Sequence, residues 1–470
     1  MERLSNEIVH LIGDHLDNIQ DCYNAVLISR RFKPLFSRAL YRSVALKNRR
    51  QVLLLVRAFT KRPRLASFVR SLDFHDWQRE SLQLALNLTE EDIAIGTSCA
   101  RTLSHTAEEH RTWVEHLTEG HEEPWMAFPL TFVNNLQELN LTYPYSSTSS
   151  EPYMDRIFKR AAKLEKPFNQ RPVFQRLRAV SLTVMSMEDR GEDSDGMGTI
   201  DPDQVLAFFL LPSMRSFTVD SLTEYRPWRG EVYDDHEKER IPDGVSPIME
   251  INCTKSNGGY GFRTLLPACA ALKSFKYQHW DEAVAVDGFM PHEFYKTISR
   301  HKSTLETLWL DNLGLHYTIT GAGDNDHYND VFGSFADFSV LKDLRIRLPN
   351  LLDVQSGSDP WETLVDILPK TIETLYIEAC REVALEMLVR QMLLVLQMRV
   401  DRFPAFRRLD IEGHFHGEEI EFVDWHGWED VSGGIRASVY EKVEPLARVC
   451  GDAGVEFHLR DRYCEETMAE

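Results

Sequence analysis

The sequence predicts an α/β protein: a three-helix module at the N-terminus, then an irregular repeat solenoid on a curved parallel sheet of about ten or eleven strands. Two observations predict it. A phrase of the form apolar-x-x-apolar-x-apolar recurs between residues 69 and 459, and the first 46 residues carry a different period, three short apolar stripes spaced for helices. A chain of 470 residues would otherwise imply about two to four domains, which a solenoid absorbs.

The stripes are Leu4, Ile8, Leu11, Ile12 and Leu16; then Cys22, Ala25, Val26 and Ser29; then Phe32, Leu35, Phe36 and Leu40. Ser5 can cap the first helix with Glu7 in its first turn, and Asp17 or Asn18 can cap the second. Pro34 is tolerated only in a first turn, which starts the third helix near Phe32 to Lys33. A unit of ~45 residues buries too little surface to enclose a core alone. Its leftover apolar face is expected to meet a partner.

Residues 1–46 resemble an F-box, of the kind found in fungal-type F-box proteins with degenerate repeats. The family's opening Leu-Pro-x-Glu-Ile reads here as Leu4, Ser5, Asn6, Glu7, Ile8, and its Leu-Val-Cys-Lys-x-Trp as Leu27, Ile28, Ser29, Arg30, Arg31, Phe32. Ser5 stands where proline is usual. The resemblance implies docking on the Skp-family adaptor of an SCF-type cullin-RING ubiquitin ligase. Leu4, Ile8, Ile12, Leu16, Leu27, Ile28, Phe32 and Leu35 would be its apolar anchors, and Glu7, Ser29 and Arg30 its polar rim.

Beyond residue 65 the phrase appears as Val69-Leu72-Phe74, Leu136-Leu139-Leu141, Leu177-Val180-Leu182, Met214-Phe217-Val219, Leu272-Phe275-Tyr277, Leu305-Leu308-Leu310, Leu341-Leu344-Ile346, Ile372-Leu375-Ile377 and Phe406-Leu409-Ile411. Ile248-Met249-Ile251 and Val455-Phe457-Leu459 are weaker copies. Most steps between central residues lie near 35, and the gap of 67 from Leu72 to Leu139 is expected to hide a further unit. Helices are expected over residues 289–302, 361–368 and 383–400. A strand with its returning helix makes a crossover, so successive strands should be parallel. This resembles a degenerate leucine-rich-repeat domain. The Asn or Cys that closes each repeat of that family stands in register once, as Cys380. The resulting organisation is an F-box at 1–46, a basic connecting segment at 47–64, the repeat domain at 65–464 and a tail at 465–470.

Composition narrows the function. Hydrophobic content of 43% excludes wholesale disorder, and a net charge of −20 argues against nucleic acid as a general ligand. Thirteen basic residues and no acidic one lie between Arg30 and Arg70, leaving −33 on the rest. That run reads as a solvated helical face, or as a basic patch facing an acidic partner or the chain's own acidic bulk. No apolar run approaches a membrane span and no leader precedes the first helix, so no membrane partner and a cytoplasmic or nuclear location are expected. Cys22, Cys99, Cys253, Cys269, Cys380, Cys450 and Cys464 are scattered as free thiols, not as a zinc or disulfide framework.

Polar inserts interrupt the repeats at residues 143–153, 188–203, 224–245 and 314–330. Solvated spacer is the plain reading; Tyr143, Tyr145, Tyr153, Tyr225 and Trp228 are the better candidates within them for a partner contact. Ser186 and Ser194 mark the acidic insert as open to phosphorylation, and Asp324 with Asp326 lacks the Gly and Glu of a calcium loop. His414, His416 and Glu421 superficially resemble half of a metal site, without a second half. Hydrolase, zincin and phosphate-loop motifs are absent. The expected protein has no cofactor, no metal and no chemistry of its own: a receptor holding an unknown target protein. The alternatives are a non-ligase scaffold and a metal-dependent enzyme using His414, His416 and Glu421.

Overall fold

A computed structural model describes residues 5–16, 18–74, 88–143, 152–184, 198–224, 241–280, 290–312, 331–354, 360–413, 415 and 434–461. The chain divides into two compact units, Met1–Asp220 with Val245–Ile248, and Ser221–Gly244 with Met249–Glu470.

The first unit opens with α1 (Asn6–Asp14), α2 (Ile19–Ile28) and α3 (Phe32–Leu40). Ser5 Oγ accepts from the Ile8 N–H at 3.4 Å and Asn18 Oδ1 from the Gln20 N–H at 2.8 Å, so short polar side chains satisfy both helix starts. Asp17 lies outside the described residues. Pro34 occupies the first turn of α3, where an N–H is dispensable. Val9, Ala25, Phe32 and Phe36 form a small core, and Leu16, Val26 and Leu35 pack against it. Phe32 and Phe36 meet edge to face at 5.8 Å.

There follow β1 (Ser43–Ala45), α4 (Arg49–Lys61) and β2 (Ser71–Phe74). Residues 47–64, read as a basic connector, are folded: α4 buries Val52, Leu55, Val56 and Phe59. β1 pairs in parallel with β2, a strand that the apolar phrase does not mark because only Val44 lies between Ser43 and Ala45. The repeat expected between Leu72 and Leu139 is corrected. β2 pairs directly with β3 (Glu138–Tyr143), Ser71 opposite Glu138. In the interval stand α5 (Glu90–Leu103), α6 (Ala107–Glu119) and α7 (Glu123–Phe132). The apolar spacing there is helical: α5 buries Gly96, Ala100 and Leu103, and a Cβ on Gly96 would come within 2.8 Å of the Trp125 ring. The unit ends with α8 (Tyr153–Ala162), β4 (Ala179–Val184), α9 (Pro202–Phe209) and β5 (Ser216–Asp220).

The second unit contains β6 (Glu250–Ser256), β7 (Ser274–His279), α10 (Pro291–Ile298), β8 (Thr307–Asn312), β9 (Asp343–Arg347), α11 (Leu348–Leu351), α12 (Leu364–Ile367), β10 (Thr374–Cys380), α13 (Glu382–Gln397), α14 (Arg399–Arg402), β11 (Arg408–Gly413), α15 (Ala437–Ala453) and β12 (Glu456–Asp461). Its strands follow chain order and pair in parallel, so that Phe275, Leu308, Leu344, Leu375, Leu409 and Phe457 align across the sheet. In the first unit Leu72, Leu139, Val180 and Phe217 align the same way. The described strands number twelve, five in the first unit and seven in the second, one more than the phrase marks.

Backbone bonds tie successive strand starts together. The carbonyl before a strand accepts two N–H groups from the next repeat: Arg42 O from Arg70 and Ser71, Gln137 O from Arg178 and Ala179, Lys273 O from Glu306 and Thr307, Glu373 O from Arg407 and Arg408. The pattern needs no particular side chain, which is why the sequence is free there. Cys380 Sγ, the one residue in ladder register, reaches the Ile377 carbonyl at 3.7 Å.

Candidate functional site

Two surfaces stand out. The first is the outer face of α1–α3. Turning Val9, Ala25, Phe32 and Phe36 inward leaves the other apolar stripe in solvent: Ile8 is 44% exposed, Leu27 64% and Ile28 57%, with Leu11, Ile12, Ile19 and Tyr23 exposed beside them. Of the residues picked from sequence, Glu7 and Arg30 are exposed and Leu16 and Leu35 half-buried. The Ser29 hydroxyl accepts from the Phe32 N–H at 3.2 Å at the junction of α2 and α3. Phe32 is 1% exposed and supports this face from within. Leu4 lies outside the described residues. Sequence reading did not single out Ile19 and Tyr23, although both fall on the solvent side of α2.

The second surface is the solvent side of the strands in the second unit. Alternate strand positions bury the apolar phrase, so the intervening residues line up outward. Lys276, Trp309, Arg345, Tyr376, Asp410 and His458 occupy one register row. The Lys276 ammonium lies 3.6 Å from the Trp309 ring centroid, and the indole N–H donates to Asp343 Oδ2 at 2.9 Å. The Arg345 guanidinium sits over the Tyr376 ring at 4.5 Å, pairs with Glu378, and reaches Asp311 at 3.4 Å. The Tyr376 hydroxyl donates to Glu412. Arg408 and Arg460 both bond Asp410, at 2.7 and 2.8 Å.

Burial drives the electrostatics of this row. It pushes the Glu378 carboxyl well above the usual range, Asp311 adds to the shift, and Arg345 opposes it. For Arg345 burial favours loss of the proton, and Glu378 and Asp311 outweigh it, holding the guanidinium charged. Burial also opposes ionisation of Asp410, yet bonds from Arg408 and Arg460 bring its carboxyl below the usual range. Burial, then Glu412, raises the Tyr376 phenol. Trp309 and Tyr376 set half-buried aromatic rings along this row, with their polar atoms bonded within the chain. The signal was present as the x positions of the phrase; attention to its apolar positions hides it.

Other candidates resolve differently. Tyr143 and Tyr153, proposed from sequence as partner contacts, are buried and are corrected. The Tyr143 hydroxyl donates to Asp155 Oδ1 at 2.9 Å, and Tyr153 packs on Trp113 with ring centroids 4.1 Å apart and bonds His116 Nδ1 at 2.8 Å. Tyr143, the last residue of β3, is tied to α8, and Tyr153, the first residue of α8, to α6. Tyr145, Tyr225, Trp228, Ser186, Ser194, Asp324, Asp326, His414, His416 and Glu421 lie outside the described residues.

Among the described residues, His116, Glu119 and His121 bring three ligand-type atoms within 4.8 Å of one another at the end of α6. Their short contacts are within the chain: Tyr153 on His116, and Glu119 Oε2 with His121 Nε2 at 3.2 Å. The basic run is partly consumed internally: Arg57 makes a two-pronged pair with Asp92, and buried Arg49 donates to the Gly120 carbonyl at 3.0 Å. The six described cysteines are free thiols, five of them buried, and no described helix is long and apolar enough to cross a membrane.

A sequence family described as a leucine-rich repeat domain matches residues 43–411, most of the chain. Its start coincides with β1, ahead of the boundary read from the phrase at residue 65. No curated protein matches the chain.

Proposed function

The chain belongs to the leucine-rich repeat domain family, and on that premise we propose that it is the non-catalytic substrate receptor of an SCF-type cullin-RING ubiquitin ligase. In this reading α1–α3 dock on a Skp-family adaptor, and the repeats hold a target protein. One observation carries it: a three-helix unit with its own small core presents Ile8, Leu27 and Ile28 to solvent at the positions where the sequence resembles an F-box. A monomer seldom spends apolar surface this way unless a partner covers it. The repeat domain fits the complementary role, since repeat solenoids present extended surfaces for protein binding.

The receptor's work is proximity. Adaptor and target on one chain raise the effective concentration of target lysines near the ubiquitin-charged conjugating enzyme, with no bond made or broken by the receptor. A cytoplasmic or nuclear location follows from that role. Co-expression with the adaptor tests it. The full chain should co-purify adaptor and, through it, cullin. Adaptor capture without cullin would replace the ligase by a scaffold, and failure to capture adaptor would remove the reading.

A further inference from the structure

The residue just before each strand forms a row along the strand starts, fixed by the carbonyl ladder. From β7 to β11 in the second unit this row alternates in sign: Lys273, Glu306, Lys342, Glu373 and Arg407. It neutralises itself, with Lys273 to Glu306 at 3.4 Å, Lys342 to Glu306 at 3.9 Å and Arg407 to Glu373 at 3.3 Å. In the first unit the same row reads Arg42, Arg70, Gln137, Arg178 and Arg215. Among the described residues, Arg70, Arg178 and Arg215 make no ion pair with a carboxylate. Arg70 donates to the Asn135 carbonyl at 3.0 Å, and Arg215 to the carbonyls of Met214 and Pro247. Exposed Arg38 and Arg176 add to the cluster. Partial burial, then the charges of Arg176, Arg38 and Arg42, hold Arg70 below the ordinary arginine pKa, so the guanidiniums here repel one another. Glu138, at the start of β3, stands opposite Ser71.

We propose that the arginine row of the first unit is a docking strip for an acidic polypeptide segment lying across the starts of β1–β5. The fold position that is neutralised from Lys273 to Arg407 carries, among the described residues, no ion pair at Arg70, Arg178 and Arg215, so the charge is not a requirement of the repeat. Ladder bonding occupies the backbone groups, leaving guanidiniums as the donors, and these match carboxylates in two-pronged fashion. Four strand steps of about 4.8 Å make the strip roughly 19 Å long, the span of about six extended residues. Carboxylates fit better than nucleic acid. No ladder of aromatic platforms accompanies the described strip, and the chain's −20 charge would repel a polyanion running past its ends. The inference is independent of adaptor docking by α1–α3.

The test is fluorescence anisotropy of a labelled hexaglutamate peptide titrated with the full chain at low salt. The wild type should bind, and affinity should fall steeply with added salt. Arg178→Glu with Arg215→Glu should weaken binding at least about tenfold, equivalent to ~1.4 kcal/mol. Arg178→Gln with Arg215→Gln should weaken it less while keeping the wild-type melting curve. Lys342→Glu, in the neutralised row, should leave binding unchanged. No binding by the wild type, equal loss in Lys342→Glu, or tighter binding of an oligothymidylate of matched charge would each overturn the proposal.

Discussion

The α1–α3 module and the repeats of the second unit solve the same problem in opposite ways. In the repeats, Leu308, Leu344, Leu375 and Leu409 stack in register with no exposed surface, each covered by its neighbours. In the module, four residues fill the core while Ile8, Leu27 and Ile28 stay in water. Stacking lets each repeat bury its face on the next, whereas a three-helix unit has no next repeat. Apolar side chains of similar size are therefore fully buried in one region and left in solvent in the other.

The largest effect should come from the repeat stack. Leu409→Ala removes a side chain held between Leu375 and Phe457 and should cost about 2–5 kcal/mol in chemical denaturation. A loss below about 1 kcal/mol would mean that the stack is loosely filled and the contrast overdrawn.

A second effect depends on pH. Burial pushes Glu123 in the first unit and Glu224 in the second up to about 7. Glu123 accepts from the Met154 N–H at 2.9 Å, and Glu224 from the Tyr260 and Phe262 N–H groups at 2.8 and 3.0 Å. Each carboxyl keeps its proton in the fold at pH values where the unfolded chain, with an ordinary value of 4.5, has lost it. Their contribution to stability therefore falls as pH rises from about 4.5 to 7, then levels off. Glu123→Gln and Glu224→Gln keep an acceptor without the charge. Each should gain about 1–3 kcal/mol over wild type at pH 8 relative to pH 5. Parallel melting curves at the two pH values would contradict the burial argument.

A smaller effect is expected on the strand face. Arg345→Met leaves Glu378 beside Asp311 without its cation and should destabilise by about 1–2 kcal/mol. The loss should shrink as pH falls, because Glu378, already pushed above the usual carboxylate range by burial, takes up a proton in place of its cation. A pH-independent loss would indicate that Arg345 acts through packing on Tyr376.

What could be read from sequence follows the same division. The apolar phrase marks β2 to β12 because the nine strong copies are wholly buried, with only Met249 and Phe457 of the weaker two half-buried; Ser5 and Asn18 mark helix starts by satisfying orphan N–H groups, and Pro34 by lacking one. β1 escapes because an end strand with one inward residue leaves no phrase. The interval after β2 misleads because length alone cannot distinguish a missing repeat from α5–α7. Tyr143 and Tyr153 read as loop aromatics because Asp155 and His116, which satisfy their hydroxyls, lie 12 and 37 residues away. The Trp309, Arg345 and Tyr376 row is invisible until parallel register brings residues from separate repeats side by side.

The most direct measurement is calorimetric titration of the full chain with a Skp-family adaptor, comparing wild type with Ile8→Ala plus Leu27→Ala. Both side chains lie outside the small core, Leu27 64% and Ile8 44% exposed, so the variant should melt within about 1 kcal/mol of wild type and yet lose adaptor binding. Adaptor binding at wild-type strength by the folded variant would contradict the assignment of the α1–α3 face.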